Sequence, residues 1–231
     1  MIKCFTFENF KSFEKAELNI EALTTLIGTN ASGKSNAIEG IMILARTATG
    51  IELNTVLDGT KGTGAVVRGG SRGCARFKTR DLLYEMKIGV GDRVRIEEEG
   101  LYLVKSDELG PKNDKIFKTK KAEPGHAEIK VQYKNGCSEK DPDMICVRSS
   151  AILPQMAGKM RRDTKEEMEI AAWMERVIQH LKNIRMLEPI PSAIRDYARI
   201  SDIELRQNCD NLSAVLNEMC KDTSRKGQLL K

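Results

Sequence analysis

Apolar and polar residues alternate along the first 27 positions in a pattern that predicts β-strands. Residues 2–7 form a short strand-like run, and residues 16–20 alternate again. The segment 23–27 (LTTLI) is short, apolar and rich in β-branched side chains, which predicts a buried strand. Gly28 ends that strand, because glycine allows the backbone to turn sharply.

From Lys34 onward the period changes from two to that of an α-helix. The apolar residues that share one helical face are Ala37, Ile38, Ile41, Met42 and Ala45. Residues 47–73 are then rich in Gly and Thr, which predicts a loop. The chain therefore opens with strands, a tight turn and a helix, followed by a long connection.

The middle of the chain has the pattern of several short strands separated by turns. The strand-like segments are residues 75–77, 82–90, 94–96, 101–104, 128–133 and 144–147. Residues 89–92 and 134–136 have the composition of hairpin turns. Between them, residues 105–125 are rich in Lys, Asp, Gly and Pro, which predicts an exposed loop.

The last third of the chain has helical periodicity. Apolar residues between 168 and 181 predict one long helix, which the Pro-containing segment 188–191 ends. Another helix is predicted from Asn211 to about Lys221. We therefore expect an α/β protein in three regions: a strand–helix core over 1–60, a β-rich antiparallel part with exposed loops over 61–150, and a helical segment over 151–231.

The composition is that of a globular protein. Hydrophobic residues make up 40% and charged residues 31% of the 231 positions, which is enough apolar material for a core. No apolar run approaches the ~18 residues that span a bilayer, which argues against a membrane protein. Six cysteines without a CxxC pair, and only two histidines, argue against a zinc site and a disulfide framework. We expect reduced thiols in a cytoplasmic protein.

Residues 28–35 (GTNASGKS) match the P-loop pattern at every fixed position. Gly28 permits the turn, Gly33 lets the backbone approach phosphates, and the N–H groups of the loop and of the following helix attract an anion. Lys34 would reach the β- and γ-phosphates, and the Ser35 hydroxyl would hold Mg²⁺. The candidate nucleotide-binding residues here are Gly28, Asn30, Ala31, Ser32, Gly33, Lys34, Ser35 and Asn36.

Two segments together resemble the ABC-type ATPases of the RecF, SMC and OLD group. Residues 9–13 (NFKSF) and 28–36 (GTNASGKSN) are similar to the N-F-[KR]-S strand end and the GxNxxGKSN loop of that group. Residues 68–70 (RGG) resemble its turn before the β-rich part. Residues 205–216 resemble its L-x-x-D-G-x-N-L-x-x-V-L helix entry, but have Asn and Cys where the group has Asp and Gly. The resemblance implies a P-loop NTPase with an ABC-ATPase-like lobe that binds ATP and Mg²⁺.

The resemblance also implies roles for residues outside the P-loop. Lys11 and Ser12 would lie against the nucleotide phosphates. Gln155, in the position of the group's Q-loop, would contact Mg²⁺ and the attacking water. Lys34 and Gln155 are then the catalytic candidates, and Ser35 and Gln155 the metal ligands. The alternatives are a solvated lysine at a strand end for Lys11 and an ordinary polar loop residue for Gln155.

Two catalytic elements of the resembling group do not occur in the sequence. No run of four apolar residues is followed by Asp-Glu, the strand end that supplies Mg²⁺ ligation and the catalytic base, and no LSGG-like signature is present. We therefore expect either the N-terminal portion of a longer ATPase or a naturally truncated one. ATP hydrolysis by residues 1–231 alone is predicted to be negligible.

These observations favour an ATP-binding module that hydrolyses ATP when a C-terminal half completes it. The resemblance implies head-to-tail pairing, as a homodimer or with a C-terminal ATPase half or nuclease partner, and action on DNA in repair, chromosome maintenance or anti-phage defence. The net charge of +5 permits non-specific DNA binding, with basic residues at 159–162 and 112–121 as candidates or as solvated charge. One alternative is a non-hydrolysing regulatory subunit that depends on a partner chain. A P-loop kinase is another, against which residues 9–13 and the β-rich insertion argue.

Overall fold

A computed structural model of the chain describes residues 2–58, 66–70, 72–79, 83–107, 110–123, 125–134, 141–195, 197–199 and 201–221. Its strands are β1 (Cys4–Phe10), β2 (Phe13–Asn19), β3 (Gly73–Thr79), β4 (Tyr84–Val90), β5 (Arg95–Asp107), β6 (Gly110–Thr119), β7 (Glu128–Tyr133) and β8 (Asp143–Val147). Its helices are α1 (Lys34–Thr47), α2 (Leu53–Asp58), α3 (Ile152–Lys159), α4 (Lys165–Lys182), α5 (Pro191–Ile194) and α6 (Leu212–Lys221). Within this described part the protein is a mixed α/β molecule.

The strands form one antiparallel sheet in the order β2-β1-β3-β4-β5-β6-β7-β8. Apart from the step from β1 to β3, each strand pairs with its neighbour in sequence, as short hairpin connections dictate. The connection from β2 to β3 contains α1 and α2, and β3 then pairs with β1 on the side opposite β2. In register, Phe7 of β1 lies opposite Phe77 of β3.

The core between the sheet and the helices is built on aromatic rings from β1 and β3. Phe7, Phe10 and Phe77 are buried, and the Phe10 and Phe77 ring centroids lie 5.1 Å apart. Gly40 of α1 faces the rings of Phe7 and Phe10. Because that helix position has no side chain, α1 can pack closely on β1. The close packing places the beginning of α1 beside the turn between β1 and β2.

Helix α3 begins on a buried carboxylate. Glu99 of β5 accepts hydrogen bonds from the backbone N–H groups of Ile152 (2.8 Å) and Leu153 (2.7 Å) and from the Tyr84 hydroxyl (2.9 Å). These donors include two helix N–H groups that have no partner within the helix. Burial raises the pKa of Glu99 to about 7, although the three donated hydrogen bonds oppose that rise.

Helix α4 forms where the apolar periodicity of residues 168–181 predicts a long helix. Thr164 and Glu167 form a reciprocal capping box at its N-terminus. Its buried residues recur at helical spacing and include Met174, Val177 and Leu181. Within the described residues, none of the helices is long and apolar enough to cross a membrane.

The predicted buried strand at residues 23–27 is wrong. These residues form no strand, and the side chains of Leu23 and Ile27 are 81% and 91% exposed. The chain leaves the sheet after β2, whose neighbour in the sheet is β1 alone. No described strand lies beside residues 23–27, so their backbone groups have no ladder to join and their side chains have no core to enter.

Residues 105–125, predicted to be an exposed loop, instead contain the end of β5 and all of β6. Strand β6 (Gly110–Thr119) pairs with β5 on one side and β7 on the other. The buried Ile116 and Phe117 anchor it to the core. Tertiary pairing thus prevails over a local composition that is typical of loops.

The predicted loop at 47–73 also holds regular structure. Leu53, Val56 and Leu57 of α2 are buried, and Val67 forms a β-bridge with Phe10. Residues 59–65 and 71 lie outside the described residues, as does most of the hairpin turn predicted at 134–136. A hairpin turn predicted at 89–92 lies at residues 91–94 in the structure, between the paired strands β4 and β5.

Residues Arg185–Lys231 form a second compact unit. In the turn before α6, the Asn211 amide donates to Glu204 O (2.7 Å) and accepts from Arg206 N–H (3.0 Å). Cys209 lies in the same turn with φ 59°, a left-handed conformation that glycine adopts at the lowest cost. This is one of the two positions at which the sequence departs from the resembling group, and the backbone keeps a glycine-like geometry there.

Candidate functional site

The P-loop connects the exposed segment 23–27 to α1 through a tight backbone turn. Gly33 is the N-cap of α1 with φ 92°, and Ala31 has φ 63°. The first helical hydrogen bond runs from Ala37 N–H to Gly33 O (2.9 Å), so the preceding N–H groups of α1 have no partner within the helix. The first turn of α1 contains no acidic residue. This arrangement suits an anion at the helix N-terminus.

The Lys34 ammonium group lies within the curl of the loop. Its Nζ atom donates to Gly28 O (2.7 Å) and Thr29 O (2.6 Å) and lies 3.2 Å from Ser32 Oγ. The Lys34 side chain is partly buried there. A positive charge is therefore held next to the free N–H groups, where a phosphate would need compensation.

Residues 9–13 contact the P-loop directly. The Asn36 side-chain amide donates to the Ser12 hydroxyl (2.7 Å). A Cβ atom on Gly33 would lie 2.9 Å from Cε1 of Phe13, so the absence of a side chain at Gly33 lets the aromatic ring close against the loop. The structure thus brings Ser12 and Asn36 together beside the loop, as their joint assignment to one site requires.

The Lys11 ammonium group forms an ion pair with Glu39 of α1. It also lies 6.0 Å from the centroid of the Phe10 ring. Glu39 was not among the residues that the sequence predicted for the site. One local signal could have found it: Glu39 follows Ser35 by four positions and therefore shares its face of the helix.

Gln155 lies on α3, and its side-chain amide forms hydrogen bonds with the edge strand β8. Its Oε1 accepts from Val147 N–H (3.0 Å) and its Nε2 donates to Val147 O (2.8 Å). One turn further along α3, Lys159 donates to Ile145 O (3.0 Å). Both side chains occupy outward-facing backbone groups of β8 and close that edge against further strand pairing. In this arrangement the Gln155 amide bonds neither to the P-loop nor to Ser35.

The turn at residues 66–70 joins the same corner of the molecule. Arg68 N–H donates to Asn9 O (3.1 Å), and Lys11 N–H donates to Val66 O (3.0 Å). Three segments that are far apart in the sequence, residues 9–13, 28–36 and 66–70, are thereby connected around the start of α1.

The comparison with protein-family models identifies the class of protein that this fold and loop define. A model described as AAA ATPase domain matches residues 1–226. The chain belongs to this AAA ATPase family, whose domain is an ATP-binding and ATP-hydrolysing module. Nucleotide binding, typically with Mg²⁺, follows from that membership. No curated protein and no solved structure matches the chain.

Proposed function

We propose that the chain is the ATP-binding module of a RecF/SMC/OLD-like, ABC-type ATPase that works in the cytoplasm. The observation that carries the proposal is the loop 28–35, in which free helix N–H groups and the Lys34 ammonium converge. The loop would hold the triphosphate of ATP, and the Ser35 hydroxyl would ligate Mg²⁺. When bound there, Mg²⁺ would supply positive charge that offsets the charge of the phosphates.

The assignment to this group is supported by the corner that the three segments build. The sequence resembles this group at residues 9–13, 28–36 and 68–70, and these segments contact one another through Ser12–Asn36 and Arg68–Asn9. Segments that contribute to one site must meet in space. Their contact is what a shared nucleotide-binding role requires.

We propose that a further ATPase segment covers residues 23–27. Leu23 and Ile27 are almost fully exposed immediately before the P-loop. Large apolar side chains beside a binding site commonly mark an interaction surface. The occupant would be a C-terminal ATPase half or another module, which would also supply the catalytic carboxylate. The alternative function, a non-hydrolysing subunit that depends on a partner chain, predicts the same surface but no turnover in the complex.

The binding proposal is tested by calorimetry with MgATP. We expect the native chain to bind, and Lys34→Ala to weaken binding by ~2 kcal/mol or more, because phosphate charge is left uncompensated in the loop. The matched control is Lys130→Ala, which removes the same charge from an exposed position on β7. Equal affinity of the native chain and Lys34→Ala would contradict the P-loop assignment.

DNA is the proposed acidic partner, bound without sequence preference. Two members of the basic cluster at residues 159–162 already have partners within the chain, because Lys159 donates to Ile145 O and Arg162 pairs with Glu175. Arg161 is exposed between them. We expect affinity for duplex DNA to fall steeply from low to physiological salt, and Arg161→Ala to reduce the slope of log K against log salt by about one. Binding that salt does not change would argue against this proposal.

A further inference from the structure

The Lys11–Glu39 ion pair connects the turn between β1 and β2 to helix α1. Lys11 lies in that turn with φ 47°, a left-handed conformation that is uncommon for a residue with a side chain. Its backbone N–H is held by Val66 O (3.0 Å) and its ammonium by a carboxylate oxygen, Oε2, of Glu39. The main chain and the side chain of Lys11 are therefore both fixed.

Both partners of the pair are largely removed from solvent. The side chains of Lys11 and Glu39 are 10% and 22% exposed. The second carboxylate oxygen, Oε1 of Glu39, is buried and has no hydrogen-bond partner among the described residues. A carboxylate in such a place depends on its one cation, because breaking a buried pair leaves an uncompensated charge.

This dependence constrains what Lys11 can do. Were the ammonium to move to a bound phosphate, Glu39 would be left charged, buried and unpaired. Retaining the pair avoids that cost and keeps the turn in place. The neighbours of Lys11 in the turn are the residues that contact the P-loop, since Ser12 accepts from Asn36 and Phe13 packs on Gly33.

We propose that Glu39 is a positioning residue of the nucleotide site and that Lys11 acts through Glu39 without contacting the phosphates. The ion pair pins residues 9–13 against the first turns of α1, and this turn then holds Asn36 and the ring of Phe13 against the loop. The inference rests on the proposed function, because it assigns a role in the binding of ATP.

The deciding variant is Lys11→Met with Glu39→Gln, which removes both charges and keeps both side-chain sizes. We expect Lys11→Met alone to weaken MgATP binding tenfold or more, because it strands the Glu39 carboxylate and loosens the turn. The double variant should recover to within about threefold of the native chain, since no buried charge is left unpaired. A double variant as weak as Lys11→Met would show that the ammonium itself is needed at the phosphates, and would overturn the inference.

Glu39→Gln alone separates positioning from simple charge repulsion. If Glu39 only repelled the phosphates, its neutral variant would bind MgATP more tightly than the native chain, and that result would also overturn the inference. We expect binding that is equal or weaker. Denaturant unfolding of the four proteins without nucleotide should show the same recovery in the double variant.

The controls keep this test distinct from that of the proposed function. The proposed function would be contradicted if the native chain did not bind MgATP, or if it bound MgATP no more tightly than Lys34→Ala does. The unfolding measurements would still test whether the Lys11–Glu39 ion pair holds the turn in place. Should Lys11→Met fail to fold, the comparison of the double variant with the native chain decides by itself, because it shows directly what binding requires of the ammonium.

Discussion

At the scale of single residues, backbone conformation and burial give particular positions properties that their residue types alone do not indicate. Ala31 and Gly33 curl the P-loop through positive φ values, and Cys209 keeps a glycine-like backbone in a different turn. Glu99 is a charged residue type at the centre of the β-rich part, fully buried and satisfied by three donors. Its burial has a measurable consequence for stability.

The free energy of unfolding should depend on pH through Glu99. Burial raises its pKa from 4.5 to about 7, so between these values the folded state binds more protons than the unfolded state. This contribution to stability is complete below pH 4.5 and is lost as the pH rises through 7. Relative to Glu99→Gln, the native chain should lose on the order of 2–3 kcal/mol between pH 4.5 and 8.

Denaturant unfolding of the native chain and of Glu99→Gln at several pH values measures this difference. Other titrating groups are common to the two proteins and cancel in the comparison. Parallel pH profiles would mean that the three hydrogen bonds to Glu99 offset its burial and leave its pKa near the ordinary value.

At the scale of secondary-structure elements, the packing of α1 on β1 positions the loop. A Cβ atom at Gly40 would lie 2.5 Å from Cε1 of Phe7 and 3.1 Å from Cε1 of Phe10. Both rings are buried and cannot move aside freely. A shift of α1 away from β1 would also displace its N-terminus, and with it the free N–H groups at the P-loop.

Two glycine-to-alanine variants on different helices should therefore differ in sign. Gly40→Ala is expected to destabilise the fold by about 1–3 kcal/mol, because the added methyl group overpacks the aromatic core. Gly158→Ala, on α3, meets nothing within 4 Å and should stabilise by about 0.5–1 kcal/mol through helix propensity. Urea denaturation measures both, and a neutral or stabilising Gly40→Ala would contradict the close approach of α1 to β1.

At the scale of the whole molecule, the described part supplies phosphate binding without a complete catalytic centre. In the proposed site, Ser35 would provide one Mg²⁺ ligand and Lys34 would clamp phosphate. Attack by water also needs a carboxylate that orients or deprotonates it. In the sequence, no run of four apolar residues is directly followed by Asp-Glu. In the described part, no carboxylate forms a hydrogen bond with Lys34 or Ser35.

We therefore expect residues 1–231 alone to bind ATP and to release phosphate at close to the uncatalysed rate. Turnover should appear when a C-terminal half that carries the missing elements is supplied in cis or in trans, and Lys34→Ala should then abolish it. A phosphate-release assay on the purified chain checks the first statement. Fast turnover that Lys34→Ala removes would show that the catalytic carboxylate is already present.

Local chemistry determined much of what could be predicted. The P-loop and the start of α1 at Lys34 depend on residues a few positions apart, so their sequence patterns specify the local structure. The alternation in β1 and β2 is equally local, and both strands form, with bounds that differ by up to three residues from the predicted segments 2–7 and 16–20.

Contacts between distant residues decided the rest. Lys11 and Glu39 are 28 positions apart, and Glu99 meets the start of α3 across more than 50. No local pattern specifies such partners, because folding alone brings them together. The same reason explains why residues 23–27 are exposed. Their apolar side chains are of types that are usually buried, but burial in a sheet requires a neighbouring strand. The tertiary structure places none there, and the segment remains exposed beside the P-loop.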